Sequence, residues 1–310
     1  VFADSVQDAA HRAGFVQARS RRFTLRSFIH RAVETFSELG MVPLTNVAKR
    51  IDELADTPRE RYELLPPERA DEQLYRGYWD PKQPKKYIDH ATQAAKSRLA
   101  YDLVIEMGLQ NNLARSLSLT GAVCSEVGVT SSELRTAARS AVEQPNVQIT
   151  LASFQTDESL ERWARGVLEI TRLNGGIYHP WFDEYLHDAG NPYKLNWRPA
   201  RALGLPGFAR GAAPKFPWII SHSKKNLAEG VINAVAPRSR FADWTRKCLG
   251  VSSHDAGNLI SALFRSFHEL GVLRKTTDRN NDTVYSLAAD HVLAGIDPTP
   301  SVAQCTVCNA

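Results

Sequence analysis

The sequence predicts a mainly α fold with one small β-hairpin near its carboxyl end. Apolar residues recur at three- and four-residue steps over most of the 310 residues. Glycine, proline and capping residues separate these stretches into helix-sized pieces. Only "VLRKT" and "TVYSL", flanking the polar turn "TDRNND", read as β-prone runs around a hairpin signal. The composition, 43% hydrophobic and 23% charged, is that of an ordinary globular chain. No apolar run of about 18 residues appears, so neither a membrane span nor a membrane partner is expected, and no signal peptide is expected either. Four cysteines make no disulfide framework, which places the expectation on a reducing, cytoplasmic setting.

The elements follow in order. "VFAD" has no initiator Met and enters Asp4-Ser5 as a strand enters a helix, which suggests a turn cut from a larger protein. A helix then runs from Ser5, its N-cap, toward Arg19. A second spans Thr24 to Leu39, with Phe28, Ala32, Val33, Phe36 and Leu39 on one face and Gly40 ending it. "PLTNVAKRIDELAD" is a short helix, and "ELLPPERADEQLYRGYWDPKQPKK" a long connection with a short helix inside. Helices resume around 86–108, 131–143 and 157–174. "GGIYHPWFDEYLHDAGNPY" reads as an ordered loop with a short helix, and "RALGLPGFARGAAPKFP" as a linker. No internal repeat is visible.

The segment after the linker is the most specific. "SRFADWTRKCLG" is an amphipathic helix offering Phe241, Trp244 and Leu249 to a core. In "HDAGNLISALFRSFHELG", Ala256, Leu259, Ile260, Leu263, Phe264, Phe267 and Leu270 form an unbroken helical stripe. Helix, turn, helix and hairpin is the order of a winged helix, assigned here to residues 210–297. Its second helix should present Asn258, Ser261, Arg265 and His268 outward, and its wing carries Arg274, Lys275 and Arg279. Arg and Lys at those positions suit contact with DNA phosphates, and Arg265 has the reach for a base edge. A winged helix used only for packing leaves the same side chains solvated, and Glu269 argues against strong sequence readout.

Charge is distributed unevenly. Residues 1–31 hold six Arg against Asp4 and Asp8, a net of +4. Residues 210–279 hold twelve Lys/Arg against five Asp/Glu, a net of +7, whereas 32–209 is −4. The ends, rather than the middle, are therefore suited to a polyanion.

Chemistry-bearing motifs are few. Cys305 and Cys308 in "CTVC" have the spacing of half a tetrahedral zinc site; a redox pair is the rival reading. Cys124 and Cys248 lie on helix-like stretches and read as small core residues. His179, Trp181, Tyr185 and His187 cluster, but no carboxylate or cysteine at metal spacing completes them. There is no phosphate loop, nucleophile elbow or HExxH, and no catalytic residue is nominated.

"FADSVQDAAHRAGF" resembles the start of the second RecA-like lobe of large superfamily-two DEAD/DEAH-box helicases, at the turn of helicase motif four. "MGLQNNLARSLSLTG", "RGVLEITRLNGGIYHPWFDEYL" and "GFARGAAPKFP" resemble segments of the same group, in particular the very large helicase-related proteins of the Druantia anti-phage defence system. The resemblance implies that 1–31 begins that lobe, 32–209 is a helical insertion, and 298–310 begins a zinc-binding element. It implies that Ser5, Gln7 and Asp8 contact or position the nucleic-acid backbone. It also implies an ATP-dependent DNA helicase or translocase, with ATP and Mg held outside these residues, Zn at Cys305 and Cys308, and DNA and other defence-system subunits as partners. With no ATPase motif, this chain alone should not hydrolyse ATP. A non-enzymatic winged-helix DNA-binding regulator and a structural partner-docking module are the alternatives.

Overall fold

A computed structural model describes residues 20–36, 40–67, 70–108, 117, 121–144, 156–178, 218–224, 227, 231–277 and 281–296. The fold is mainly α. Two compact units divide the chain: one comprises 1–103, 195–207 and 294–296, the other 104–194, 208–293 and 297–310. Residues 210–293 thus share a unit with 104–194.

In the first unit a helix over residues 20–34 (α1) is followed by a two-residue strand Val42–Pro43 (β1) and helices Leu44–Leu54 (α2), Pro58–Leu64 (α3) and Gln73–Trp79 (α4). A long helix, Lys85–Gly108 (α5), begins here. Phe28, Ala32 and Val33 are buried as their spacing requires, but α1 starts earlier than Thr24 and ends before Phe36. Thr57 closes a capping box with Glu60, which starts α3 cleanly. Tyr75, Tyr78, Ala91, Ala94 and Ala95 build an α4–α5 core, rimmed by Tyr62 and Trp79 at a 5.2 Å edge-to-face contact. Gly77 permits that approach, since a Cβ there would stand 2.5 Å from the Tyr87 carbonyl oxygen. Beneath them Asp102 accepts from both Arg21 and Arg98, all three nearly buried. Burial pushes the Asp102 carboxyl up, but the two guanidiniums outweigh it and hold it below the ordinary carboxylate range.

The second unit contains strand Cys124–Val127 (β2), helices Ser131–Val142 (α6) and Asp157–Leu173 (α7), and strands Ile177–Tyr178 (β3), Trp218–Ile220 (β4) and Val231–Asn233 (β5). Helices Arg240–Leu249 (α8) and Ser253–Glu269 (α9) and strands Leu273–Thr277 (β6) and Thr283–Ala288 (β7) follow. A 3-10 turn at Ala289–His291 leads to Val292–Gly295 (β8). Cys124 therefore lies in a strand, not a helix; a Gly121 turn at φ +71° feeds it into β2. Cys248 is helical and half-buried, and burial pushes its thiol up to about 11.

A repeat invisible in the sequence organises this unit. Helices α7 and α9 are each 17 residues long, and each is capped by a hydroxyl, from Thr156 and Ser252 respectively. Each ends in a glycine with positive φ, Gly175 and Gly271. Backbone bonds from Gly176 to Thr171 O and from Val272 to Phe267 O, both 2.9 Å, close the two helices in the same way. The strands that follow flank β7 on opposite sides, with Ile177 parallel and Leu273 antiparallel to Leu287. The helix pairs interlock: α6 packs on α7 and α9, and α8 packs on α9 and α7. Between α7 and α8, Trp163 Nε1 donates to Thr245 Oγ1 at 2.9 Å and Trp244 Nε1 to the Trp163 carbonyl at 3.0 Å. Phe241, Phe264 and Tyr285 continue the core toward the sheet through edge-to-face contacts.

Candidate nucleic-acid interface

Helix α8 starts at Ser239, whose hydroxyl accepts from Ala242 N at 3.0 Å, and stops at Gly250 with φ +67°. The next helix is capped at once by Ser252, so a three-residue turn separates them. Helix α9 then runs into the β6–β7 hairpin, whose register pairs Leu273 with Leu287 and Thr277 with Thr283.

The placement of the expected contact residues is mixed. Arg265 and His268 on α9, and Lys275 on β6, are exposed. Asn258 and Ser261 are half-buried instead of outward-facing, and the Ser261 hydroxyl donates to the carbonyl of Ser221, just past β4. On another face of α9, Ser266 is buried and its hydroxyl meets that of Ser140 on α6 at 3.2 Å. Leu270 is 40% exposed, because the helix ends there and its stripe runs off the core. Only a narrow strip of α9, at His254, Arg265, His268 and Glu269, faces water.

Arg274 points away from that strip. Its guanidinium lies 3.6 Å from the Tyr178 ring centroid, and burial pulls its pKa below the ordinary arginine value. Alternation along β6 explains this, since Leu273 and Lys275 share one face of the hairpin and Arg274 the other. Just before β7, Asp282 accepts from Lys224 and lies 3.3 Å from His222, and the Lys224 hydrogen bond above all holds its carboxyl below the ordinary range.

Ser5, Gln7, Asp8, Arg279, Cys305 and Cys308 lie outside the described residues, as do His179, Trp181, Tyr185 and His187. Among the described residues no group of three or more His, Cys, Asp or Glu could hold a metal ion. His291, half-buried, meets the Gly128 carbonyl at 3.4 Å. No described helix is long and apolar enough to cross a membrane.

A basic surface on α8 was missed by the sequence reading. Arg238, Arg240, Arg246 and Lys247 are all exposed, on or just before this helix. Asp243, the one acidic residue of α8, is taken by Arg246. Among the described residues Arg238, Arg240, Lys247, Arg265 and Lys275 have no carboxylate partner within ion-pair distance. Elsewhere some exposed cations are paired, as Arg59 is with Glu63 and Arg139 with Asp157, whereas the Lys82, Lys85 and Lys86 side chains have no carboxylate partner among the described residues. The charge count of 210–279 had included these residues; reading α8 only for its apolar face hid where they point. No protein-family model, curated protein or solved structure matches the chain.

Proposed function

We propose that residues 210–297 form a winged helix that contacts the DNA backbone without strong sequence preference, within an ATP-dependent DNA helicase or translocase. The observation that carries the reading is a set of exposed cations on a helix–turn–helix–hairpin, without a carboxylate partner among the described residues: Arg238, Arg240, Lys247, Arg265 and Lys275. Partly covered Asn258 and Ser261 favour phosphate contact over base readout, because a helix covered on those sides cannot lie deep in a major groove.

The helicase parent is argued from the resemblance at Ser5, Gln7 and Asp8, in a segment of net charge +4. ATP and Mg would be held by that parent, outside this chain, and place in an anti-phage defence system with partner subunits follows from the same resemblance. Zinc at Cys305 and Cys308 would need a second ligand pair. A second reading, a winged helix used for packing, is favoured by one observation: α6 covers α9 at Ser140–Ser266.

Fluorescence anisotropy with two labelled duplexes of unrelated sequence tests the proposal. Similar affinities for both support it. A large preference for one duplex favours the regulator, and no binding to either favours the packing module. The chain alone should show no DNA-stimulated ATPase activity.

A further inference from the structure

We propose that DNA phosphates dock chiefly on the outer face of α8, with Arg162 of α7 beside it, and only secondarily along α9. This rests on the DNA-backbone reading above and departs from the usual expectation that the second helix of a winged helix makes the principal contact.

Helix α9 is closed along much of its circumference: Gly257 stands against the Val235 carbonyl, Ser261 is bonded to Ser221, and Ser266 to Ser140. Helix α8 is closed only on the side that carries Phe241, Ala242, Trp244, Thr245 and Leu249. Of its remaining positions, Arg240, Asp243, Arg246 and Lys247 are exposed and fall at three- and four-residue steps, and Cys248 is half-buried.

The charge on that face is one-sided. Among the described residues Arg238, Arg240 and Lys247 have no carboxylate partner, and Asp243 is neutralised by Arg246. Arg162 extends the surface from α7. It is exposed, lies 5.7 Å from the Trp244 ring, and acts with Lys247 to lower the Cys248 pKa against its burial. The spacing also fits a backbone. Arg240 and Lys247 are seven positions apart on one helix face, roughly 10 Å at the helical rise. That separation bridges phosphates of one strand, each contact releasing a condensed counterion. A serine hydroxyl cap and a short turn to α9 hold the helix rigid, so the cations are displayed without ordering a loop.

Charge reversal tests this, because every substituted residue is exposed and the core is untouched. Affinity for a short labelled duplex is measured for the full chain and two double variants, R240E/K247E on α8 and R265E/K275E on α9 and the wing. Far-UV circular dichroism should be unchanged in both. The expected result is weakening on the order of tenfold to a hundredfold in R240E/K247E, with the log–log salt slope shallower by about 2 units. The R265E/K275E variant should weaken binding several-fold less than R240E/K247E, by about two- to fivefold. A parent that binds while R240E/K247E binds equally well overturns this inference alone. Equal weakening in both variants also overturns it, because the contact would then not be centred on α8. A parent that binds no DNA removes the reading on which it rests. Competition by polyglutamate as effective as by unlabelled DNA assigns the face to an acidic protein instead.

Discussion

Replacing Gly166 by Ala reverses an effect that helix propensity alone would predict. Gly166 sits in the middle of α7, where Ala is ordinarily favoured by about 1 kcal/mol. A Cβ at this position, however, would lie 2.1 Å from Trp244 Nε1 and 2.2 Å from Cε2. The indole has little room to retreat: it is 5% exposed and its Nε1 donates to the Trp163 carbonyl. Overpacking of this kind costs about 1–3 kcal/mol. Displacing the buried hydrogen bond costs ~1–3 kcal/mol more. Less the propensity gain, the variant should lose about 1–5 kcal/mol, which lowers the urea midpoint by roughly 1 M. Urea unfolding followed by tryptophan fluorescence and circular dichroism reads this directly. A midpoint raised by what propensity alone supplies would refute the close α7–α8 contact.

Three further perturbations probe the units separately. Asp102→Asn leaves Arg21 and Arg98 facing a neutral amide and should cost about 3–5 kcal/mol at neutral pH. Because the folded carboxyl is depressed, its contribution is complete above the ordinary carboxylate pKa and lost as pH falls through the lower folded value. The gap between parent and variant should therefore narrow only below about pH 4, and a gap that closes near neutrality contradicts the assignment. Glu169→Gln disturbs a buried carboxylate that accepts from Val127 N at 2.6 Å and Arg172 Nε at 2.8 Å, so Tm should fall by about 5–10 °C; an unchanged Tm counts against the staple between α7 and β2. Leu263→Ala, at a fully buried position of α9, should cost about 2–5 kcal/mol by chemical unfolding, and a loss below about 1 kcal/mol would mean the site is not sealed.

What could be read from the sequence was local. The helices over 131–142, 157–173, 240–249 and 253–269 carry their own periodicity, and the hairpin its own turn. Cys124 was misplaced because a four-residue strand has no period of its own, and its neighbours gave no turn strong enough to overrule a helix. Strands β3, β4 and β5 are two or three residues long and join the sheet by pairings such as Ile177 with Leu287, more than a hundred positions away. The α6–α7 and α8–α9 repeat stayed hidden for a different reason. Its matched positions share burial, not identity: Trp163 and Leu259, or Thr171 and Phe267, are equivalent by their distance from each cap.

The candidate interface was legible in charge but not in direction. The excess over 210–279 was countable, yet whether Arg274 meets solvent or Tyr178 depends on a strand from another part of the chain. Likewise, nothing in the spacing of α9 announces that Ser221 and Ser140 lie against it. Tertiary cover, rather than helix periodicity, decided which helix displays its cations.

The central claim, a DNA-backbone contact made by exposed surface cations, is tested most directly by the salt dependence of duplex affinity. With about four phosphates neutralised, the logarithm of the association constant should fall linearly with the logarithm of salt concentration at a slope of about −3 to −4. A slope near zero, or affinity that does not change across the titration, would contradict the account.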